Sequence, residues 1–376
     1  MTHRIVVLGG GYSGLIAANR IARRLSGADV MLVNERPRFV ERVRLHQVAA
    51  GQRPVEHLLA DRVRPGVRLS IGRVTALDPD RREVRVGDDA LGYDTLVYAL
   101  GSGAVVPESA AGALTAAGAE SAEEASKRIA DLAAENGVLA VVGGGLTGIE
   151  TAAELAESHP GLRVRMLTSG EPGGFLSPRG KAHVRRVFDR LGVEVLTDAD
   201  VEEVREDAVV LRDGRAVGAA LTVWSTGFAV PALAGRSGLA VDAHGRIRVD
   251  ATLRSLSHPE VYAVGDSAAA TRQNGRELRM ACATGIPAAY CAADAIAARL
   301  TGREARPLRF RYVNQCVSLG RRDGLVQYVD ADDNPHRTVL TGRLAARYKE
   351  AIVRGALFVT AKSGPYSLAR PRSVLR

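Results

Sequence analysis

The sequence predicts an α/β protein with two related α/β units followed by a smaller α+β domain. Three observations support this prediction: a strand–glycine–helix pattern occurs twice, 46% of the 376 residues are hydrophobic, and the charge is unevenly distributed. A chain of this length and composition can bury a large core without disulfides. The net charge of +9 lies entirely in residues 301–376, which hold 15 basic and 6 acidic residues.

The repeated pattern is a glycine motif between a strand and a helix. The segments IVVLGGGYSG and LAVVGGGLTG each place a β-branched run before GxGxxG and an apolar helical pattern after it. The first glycine permits a tight turn, the second lets the backbone approach a pyrophosphate, and the third allows close helix packing. The motif therefore predicts two Rossmann-like dinucleotide-binding domains. Their predicted cofactor contacts are Gly9, Gly11, Tyr12, Ser13 and Gly14 in the first, and Gly143, Gly145, Leu146, Thr147 and Gly148 in the second.

The acid expected at the end of the second strand is present in the first unit only. Glu35 lies 21 residues beyond Gly14, where a carboxylate accepts hydrogen bonds from ribose hydroxyls. The alternative is a solvated acid at a strand end. We include the adjacent Arg36 among the predicted cofactor contacts. In the second unit the same offset reaches Ser169, which tolerates a 2′-phosphate, so NADPH is favoured, although Glu171 could serve NADH.

Three further strands are predicted to end in glycine near the cofactors. The apolar segments YDTLVYALGS and ALTVWSTGF run into Gly101 and Gly227, and VYAVGD ends in Gly265 and Asp266. Glycine lets the backbone approach a dinucleotide, and a carboxylate at the carboxyl edge of the sheet can hold a polyol chain. The alternatives are ordinary buried strands that end in turns, and a helix-capping role for Asp266.

The order of these motifs resembles that of the two-dinucleotide-binding-domain flavoproteins, the pyridine nucleotide-disulfide oxidoreductase superfamily, over about residues 4–300. Within it, GGGLTGIETAAEL resembles the motif of type II NADH dehydrogenases and apoptosis-inducing-factor-like NAD(P)H:quinone reductases, and the CxxxxC of the disulfide reductases is missing. The resemblance implies hydride transfer from NAD(P)H to FAD. It also implies an FAD-binding domain at 1–103 and 229–300, an inserted NAD(P)-binding domain at 104–228 and a basic C-terminal domain at 301–376.

The resemblance also implies which residues take part in catalysis. Glu150 would lie beside the nicotinamide; the alternative is a helix acid stabilised by the helix dipole. Within residues 36–52, Arg42, Arg44 and His46 would lie near the flavin or its pyrophosphate. The alternative is that these three side chains form the solvated face of an amphipathic helix.

A second flavin-side segment, residues 279–300, is predicted to form a helix with Pro287 in its first turn. The N-terminus of this helix would stabilise the charge of reduced flavin. For Cys282 a buried, inert thiol is favoured, and no metal site is predicted because the three cysteines lack ligand spacing. Quinone-reducing relatives place paired glutamines near this helix start, where this chain has Met280, Cys282, Thr284 and Ile286. We include Ile286 among the cofactor contacts.

The C-terminal domain is predicted to contain strands and one basic helix. Residues 308–329 are predicted to form strands with turns at Gly320 and at Asp323-Gly324. Residues 342–362 have the pattern of a moderately amphipathic helix. This helix would lie on an anionic membrane, or would pack its apolar face on the body of the protein or on the mate of a homodimer.

The electron acceptor is the part that the sequence determines least. A quinone-like molecule is favoured, and an acidic electron-carrier protein of the ferredoxin type is second because the C-terminal domain is basic. A redox-sensing flavoprotein without fast turnover is the third hypothesis. No nucleic-acid recognition motif occurs, and only 4% of the residues are aromatic, so no nucleic-acid partner is expected. Without a signal peptide or an apolar span of eighteen residues, the chain is predicted to be cytoplasmic.

Overall fold

The computed structural model describes residues 2–362 and 372–374. The last part of the predicted C-terminal domain, residues 363–371 and 375–376, therefore lies outside the described residues. The helices of the described part are α1 (Tyr12–Arg24), α2 (Leu45–Ala49), α3 (Ala119–Ala134), α4 (Leu146–Ser158), α5 (Pro178–Leu191), α6 (Leu233–Arg236), α7 (Cys282–Leu300) and α8 (Gly342–Lys362). Single 3₁₀ turns span Arg42–Arg44, Glu108–Ala110 and Gly265–Ser267.

Five parallel strands form the sheet of the first unit. Across the sheet their order is Val261–Ala263, Thr95–Tyr98, His3–Leu8, Ala28–Asn34 and Val67–Ile71. The central strand is a continuous apolar run, buried from Ile5 to Leu8, as expected for a parallel strand that is covered on both faces. Helix α1 packs against α7 beside this sheet, so the N-termini of both helices lie near its carboxyl edge.

Four parallel strands form the sheet of the second unit. Their order is Glu194–Leu196, Arg163–Leu167, Val138–Val142 and Leu221–Trp224. Helix α4 follows the central strand, as α1 does in the first unit. The predicted α/β class with two Rossmann-like units is confirmed, while the exact domain limits stay predictions.

Short sheets of two or three strands complete the fold; all are antiparallel except the pairs formed by Leu25–Ser26 and by Ile247–Arg248, which are parallel. The two chain segments that join the units, Gly103–Ala104 and Phe228–Ala229, pair with each other. Further two-stranded pairs are Leu25–Ser26 with Arg372–Ser373, Arg38–Phe39 with His57–Leu58, and Ile247–Arg248 with Ala268–Ala269. Three-stranded sheets comprise Val74–Asp78, Glu83–Val86 and Asp89–Gly92; Val201–Val204, Ala208–Leu211 and Ala216–Gly218; and, in the C-terminal domain, Asn314–Ser318, Gly324–Val329 and Pro335–Thr341.

Two predictions about helices need correction. Helix α7 begins at Cys282, so Pro287 occupies its sixth position rather than its first turn. The proline ring there removes only the hydrogen bond to the carbonyl of Ala283, close to the helix start, and the helix continues to Leu300. The predicted helix at 342–362 is present as α8, but its predicted apolar face is divided: Leu357 packs on the core, whereas Leu344, Ile352 and Phe358 point outward.

The face of α8 that packs against the rest of the protein is formed mainly by other residues than expected. Ala345, Val353 and Thr360 are buried. Leu344, Ile352 and Phe358 are instead 63%, 49% and 62% exposed. The small residues on the buried side let the helix lie close against strand Gly324–Val329, and the larger apolar side chains consequently point outward.

Candidate functional site: two glycine cradles and a buried ion cluster

The two glycine motifs have nearly the same geometry. Gly9 and Gly143 have φ values of +101° and +120°, which only glycine adopts without strain. A Cβ at Gly14 would overlap the carbonyl oxygen of Gly9, and a Cβ at Gly148 would overlap that of Gly143. These four glycines therefore let each helix begin against its strand.

The middle glycine of each motif faces open space. Nothing lies within 4 Å of a Cβ built at Gly11 or at Gly145. Both residues are helix N-caps, and neither helix has a side-chain cap, so the first N–H groups of α1 and α4 remain available for an anionic ligand. The N–H of Gly10 donates to Asn34 Oδ1 at 2.7 Å, which ties the first turn to the neighbouring strand. The two motifs, Gly9–Gly14 and Gly143–Gly148, each form a cradle that fits the pyrophosphate of a dinucleotide. We call them the first and the second cradle.

The side chains that open the two helices differ in surroundings. Tyr12 is buried, and its ring packs edge-on against Phe39 with centroids 5.0 Å apart, so its ring supports the turn. Ser13 lies between two glycines of other segments, because a Cβ at Gly265 or at Gly285 would come 2.9 or 2.7 Å from its Oγ. In the second unit, Leu146 packs on the core and Thr147 is half-buried.

Glu35 lies exposed at the end of strand Ala28–Asn34, as expected for a ribose contact. Arg36 and Arg73 approach its carboxylate to 3.5 and 3.8 Å. The guanidinium of Arg36 pairs more tightly with Glu120 in the first turn of α3. Arg36 thus braces the first cradle against α3, while the carboxylate of Glu35 stays accessible.

The second cradle ends differently. Ser169 and Glu171 are exposed beyond strand Arg163–Leu167. The Glu171 carboxylate pairs with Lys181 at 3.1 Å and with Arg185 at 2.7 Å, both on α5. These two cations lower the pKa of Glu171 below its usual range. An acid and two cations therefore share the place where the ribose of a dinucleotide would lie.

A charged network closes the first cradle. Arg42 Nη1 donates to the carbonyl oxygen of Ser102 at 2.8 Å and approaches Asp266 Oδ2 at 3.2 Å. Ser102 Oγ donates to the same carboxylate oxygen at 2.7 Å. Gly101 and Gly265, with φ of +69° at both, turn the two strand ends toward each other. The helix-capping alternative for Asp266 is wrong, because the N-caps of the 3₁₀ turn and of α7 are Val264 and Ala281.

The N-terminus of α7 lies beside this network. Ile286 is half-buried and packs on the hydrophobic core of the first unit. Cys282 opens the helix, and burial raises the pKa of its thiol. Burial and the neighbouring Cys282 together raise the pKa of Cys316 to about 12. Both thiols are therefore protonated and weakly nucleophilic at neutral pH, in line with the favoured interpretation of Cys282. Gly227, with φ of +71°, turns the second link between the units.

Glu150 belongs to a buried ion cluster. Its Oε1 accepts a hydrogen bond from the N–H of Ser318 at 2.9 Å and pairs with Lys349 Nζ of α8. The side chains of Glu150 and Lys349 are each 14% exposed. His46 Nδ1 lies 4.0 Å from Glu150 Oε2. The alternative of a first-turn helix acid stabilised by the helix dipole is wrong, since α4 begins at Leu146 and has no acid in its first turn; three segments converge on this carboxylate instead.

A second carboxylate lies one helical turn further along α4. Glu154 is fully buried and accepts two hydrogen bonds from Arg321, at 2.8 and 2.6 Å. Gln52 donates to the same carboxylate. His46 Nε2 lies 3.8 Å from Glu154 but has no hydrogen-bond partner among the described residues. The cluster links α2, α4 and the loop that follows strand Asn314–Ser318.

Burial determines the protonation of this cluster. It lowers the pKa of His46 well below its usual value, and Lys349, Arg321 and Arg44 lower it further. Burial and Arg44 also lower the pKa of Lys349 from its ordinary value. His46 is consequently neutral at physiological pH, and Lys349 keeps its proton less firmly than a surface lysine.

Arg44 is also largely buried, with its guanidinium bonded to Glu350 of α8 at 2.8 Å and to Glu41 at 3.2 Å. Since Arg44 and His46 both face protein, the prediction that they form a solvated helix face is wrong. Arg42 differs in facing Asp266 across the first cradle.

A cavity of about 820 Å³ lies beside this cluster. It is bounded by Arg44 and Gln47, by the loop from Ser318 to Arg322, and by α8. Lys349 forms part of its wall, so the cavity connects the buried cluster with solvent.

The sequence analysis missed Lys349, Arg321 and Ser102, which are essential to these networks. Lys349 carried a usable signal, because the whole chain has only four lysines and this one lies mid-helix. Within residues 2–362 and 372–374, no group of acidic, cysteine and histidine side chains could hold a metal ion. No helix in that part of the chain combines the length and hydropathy needed to cross a membrane.

The fold and the two cradles define a flavoprotein oxidoreductase with two dinucleotide-binding units. The chain belongs to the pyridine nucleotide-disulphide oxidoreductase family, whose family model matches residues 3–294. It is an FAD-dependent NAD(P)H oxidoreductase.

Individual relatives agree with this assignment. The chain is 32% identical over 312 residues to an NADH dehydrogenase-like protein of Mycobacterium tuberculosis, covering 76% of this chain and 77% of the relative. It is 27% identical to the demethylphylloquinone reductase of Synechocystis, covering 86% of each. The structure of NDH2 from Plasmodium falciparum in complex with NADH has a similar fold, with a TM-score of 0.81, 14% identity and 99% coverage of both chains.

Proposed function

We propose that the protein oxidises NAD(P)H through FAD and reduces a quinone beside the Lys349–Glu150 pair. The observation that carries this proposal is the placement of that pair between an uncapped glycine cradle, at the start of α4, and the 820 Å³ cavity. When bound, FAD supplies the chemistry that accepts a hydride and passes two electrons on. The demethylphylloquinone reductase among the relatives supports a quinone as the acceptor.

The cofactor roles follow from the two cradles. The first, with Glu35 and the Asp266 network, would hold FAD, because Asp266 is fixed by Arg42 and Ser102 where a ribityl chain needs an acceptor. The second cradle would hold the pyrophosphate of NAD(P)H at the N-terminus of α4. Glu150, one turn into the same helix, would then lie near the nicotinamide.

Quinone reduction also requires protons. A quinone that receives two electrons becomes a quinol only by taking up two protons. Lys349 lines the cavity, and its lowered pKa favours release of a proton from Nζ. Glu150 would hold this ammonium in place, and Lys349 would pass on both protons in succession, taking each up again from solvent in the cavity. His46 stays neutral and packs between the two carboxylates of α4.

The test is an acceptor comparison on the purified yellow protein with a soluble quinone and a ferredoxin, each at low and high salt. We expect quinone reduction that changes little with salt. Faster, salt-sensitive reduction of ferredoxin would replace the quinone by the protein acceptor that the basic C-terminal domain favours. Flavin reduced by NAD(P)H but reoxidised no faster than by air would favour the redox sensor instead.

The role of Lys349 is tested with Lys349→Met, which removes the ammonium but keeps an apolar stem. We expect quinone turnover to fall about 10²-fold, the size of a general acid contribution, while the rate of flavin reduction by NAD(P)H stays unchanged. Lys127→Met, at an exposed position on α3, is the matched control and should retain quinone turnover. Equal loss of both half-reactions in Lys349→Met would contradict the assignment.

For the donor we propose a preference for NADPH. Ser169 carries no charge that would repel a 2′-phosphate, and Lys181 and Arg185 pair with Glu171, two residues further along the chain. Steady-state kcat/KM values for NADH and NADPH measure the preference directly. A higher value for NADH would mean that Glu171 breaks its ion pairs with Lys181 and Arg185 in order to bind the ribose.

We also propose that the protein is cytoplasmic and that α8 places it on a membrane surface. The outward Leu344 and Ile352 and the neighbouring arginines support this location. Sedimentation with vesicles tests it. Dimerisation that covers α8 in solution would instead assign the apolar side chains to a homodimer mate.

A further inference from the structure

The cavity beside α8 has an unusual distribution of charge. Seven of its fourteen lining residues are cationic, and one, Glu350, is a carboxylate. Four of the cations are bonded to carboxylates: Arg44 and Arg354 to Glu350, Arg321 to Glu154, and Lys349 to Glu150.

The other three cations are Arg322, Arg343 and Arg347. All three are exposed and have no carboxylate partner among the residues that the structure describes. Three like charges around one cavity repel each other unless an anion lies between them. Guanidinium groups bind phosphate oxygens through paired, directional N–H donors, so a phosphate group suits this rim better than a neutral molecule does.

The position of the rim on α8 indicates where such a phosphate comes from. At 3.6 residues per turn, Arg343 and Arg347 lie on the cavity side of the helix, and Leu344 and Ile352 lie on the side that faces solvent. An apolar stripe bordered by arginines matches the boundary between acyl chains and headgroups of a bilayer. A soluble phosphate ester would need the cavity but not the stripe.

We propose that the rim of this cavity, formed by Arg322, Arg343 and Arg347, binds the phosphate headgroup of an anionic phospholipid. The inference deepens the proposed membrane contact of α8 and rests on it. It places the open end of the quinone cavity at the level of the headgroups. The lipid would therefore orient the protein so that the cavity containing Lys349 faces the membrane.

The experiment measures binding of the full flavin-loaded protein to two kinds of vesicle. One contains phosphatidylcholine alone, and the other contains phosphatidylcholine and phosphatidylglycerol. Each arginine near an anionic surface contributes about fivefold to binding, so the double variant R343Q/R347Q should bind phosphatidylglycerol vesicles about 30-fold more weakly. R85Q/R212Q is the matched control, because Arg85 is exposed in strand Glu83–Val86 and Arg212 is exposed in the turn after strand Ala208–Leu211, both far from α8 in sequence.

Two further measurements separate the sources of the phosphate. The variant L344Q/I352Q should bind both kinds of vesicle more weakly while R343Q/R347Q loses only the preference for phosphatidylglycerol. Inorganic phosphate, at matched ionic strength with chloride, should compete for the rim only weakly. Phosphate binding to the wild type without any vesicle preference would assign the cavity to a soluble phosphate ester and overturn the proposal.

Equal losses in R343Q/R347Q and R85Q/R212Q would also overturn it, because general surface charge would then explain the binding. Failure of this inference is distinguishable from failure of the proposed function. Reduction of a water-soluble quinone by the wild type in the absence of vesicles tests the oxidoreductase activity alone, whereas vesicle binding is measured without NAD(P)H or acceptor.

Discussion

The two glycine cradles share a backbone and differ in what surrounds it. In both, the third glycine lies against the carbonyl of the first, and the middle glycine is open. The first cradle is closed by Arg42, Ser102 and Asp266. At the second, the loop beyond the strand exposes Glu171 with its two cations. The same glycine motif thus leaves a helix N-terminus open in both units, and we propose that distant side chains decide whether the bound dinucleotide is retained or exchanged.

The largest effect should come from the third glycine of each cradle. Gly14→Ala and Gly148→Ala place a Cβ on a backbone oxygen, which costs about 1–3 kcal/mol of stability and displaces the helix. We expect Gly14→Ala to purify without flavin, and Gly148→Ala to be yellow but not reduced by NAD(P)H. Absorbance spectra before and after addition of NAD(P)H measure both.

The matched controls are Gly11→Ala and Gly145→Ala, where a Cβ has room. Their free energies of unfolding should stay within about 1 kcal/mol of wild type, and only nucleotide affinity should fall. If Gly148→Ala also loses flavin, the two cradles are not independent and the comparison between them fails.

The next largest effect concerns the network that closes only the first cradle. Asp266→Asn removes the charge that Arg42 and Ser102 contact. Hydrogen bonds to a charged group contribute about 1.5–3 kcal/mol, so FAD affinity should fall about 10- to 100-fold, as measured by release of flavin fluorescence on dilution. Asp213→Asn, in an exposed ion pair with Arg215, is the control. An equal loss of NAD(P)H affinity in Asp266→Asn would show that the network serves both cradles.

A third prediction concerns the contact between His46 of the short helix α2 and the helix of the second cradle, α4. Helix α4 packs its carboxylates against neutral His46, so acid should destabilise the second unit. The folded pKa of His46 lies well below 6.5; the unfolded chain therefore binds more protons below pH 6.5, and stability falls as pH falls. The loss is about 1.4 kcal/mol per pH unit for one proton.

The variant His46→Gln should have a flatter dependence of unfolding free energy on pH between about 6.5 and 5. Chemical denaturation at several pH values measures this slope. His244→Gln, on an exposed turn, is the control. A slope in His46→Gln equal to that of wild type would mean that acid sensitivity arises elsewhere in the protein.

The smallest effect should come from Glu171. Glu171→Gln frees Lys181 and Arg185 for a 2′-phosphate, but exposed ion pairs contribute only about 0.2–1 kcal/mol. The ratio of kcat/KM for NADPH over NADH should rise by up to about fivefold. Glu194→Gln, which removes an exposed carboxylate on the neighbouring strand Glu194–Leu196, where it pairs with Arg165, should leave this ratio unchanged. A fall in the ratio for Glu171→Gln would mean that Glu171 does not compete with the phosphate.

Local patterns predicted much of the fold and of the two cradles. The glycine spacing and the β-branched runs act over about ten residues, so the strand–turn–helix units could be derived without tertiary information. The roles of Arg44 and His46 could not, because their solvated and buried interpretations differ only in which segments pack on α2. The partner of Arg44 is Glu350, more than 300 residues away.

The sequence by itself determined the two phosphate cradles, the acid at Glu35, the absence of a cysteine pair for thiol chemistry and the basic C-terminal helix. Only the tertiary structure decided that Lys349 meets Glu150, that Asp266 meets Arg42, and that α8 turns its large apolar side chains outward. The physical reason is the distance along the chain over which each effect acts. Backbone conformation follows from neighbouring residues, whereas the pairing of buried charges depends on which distant segments exclude water together.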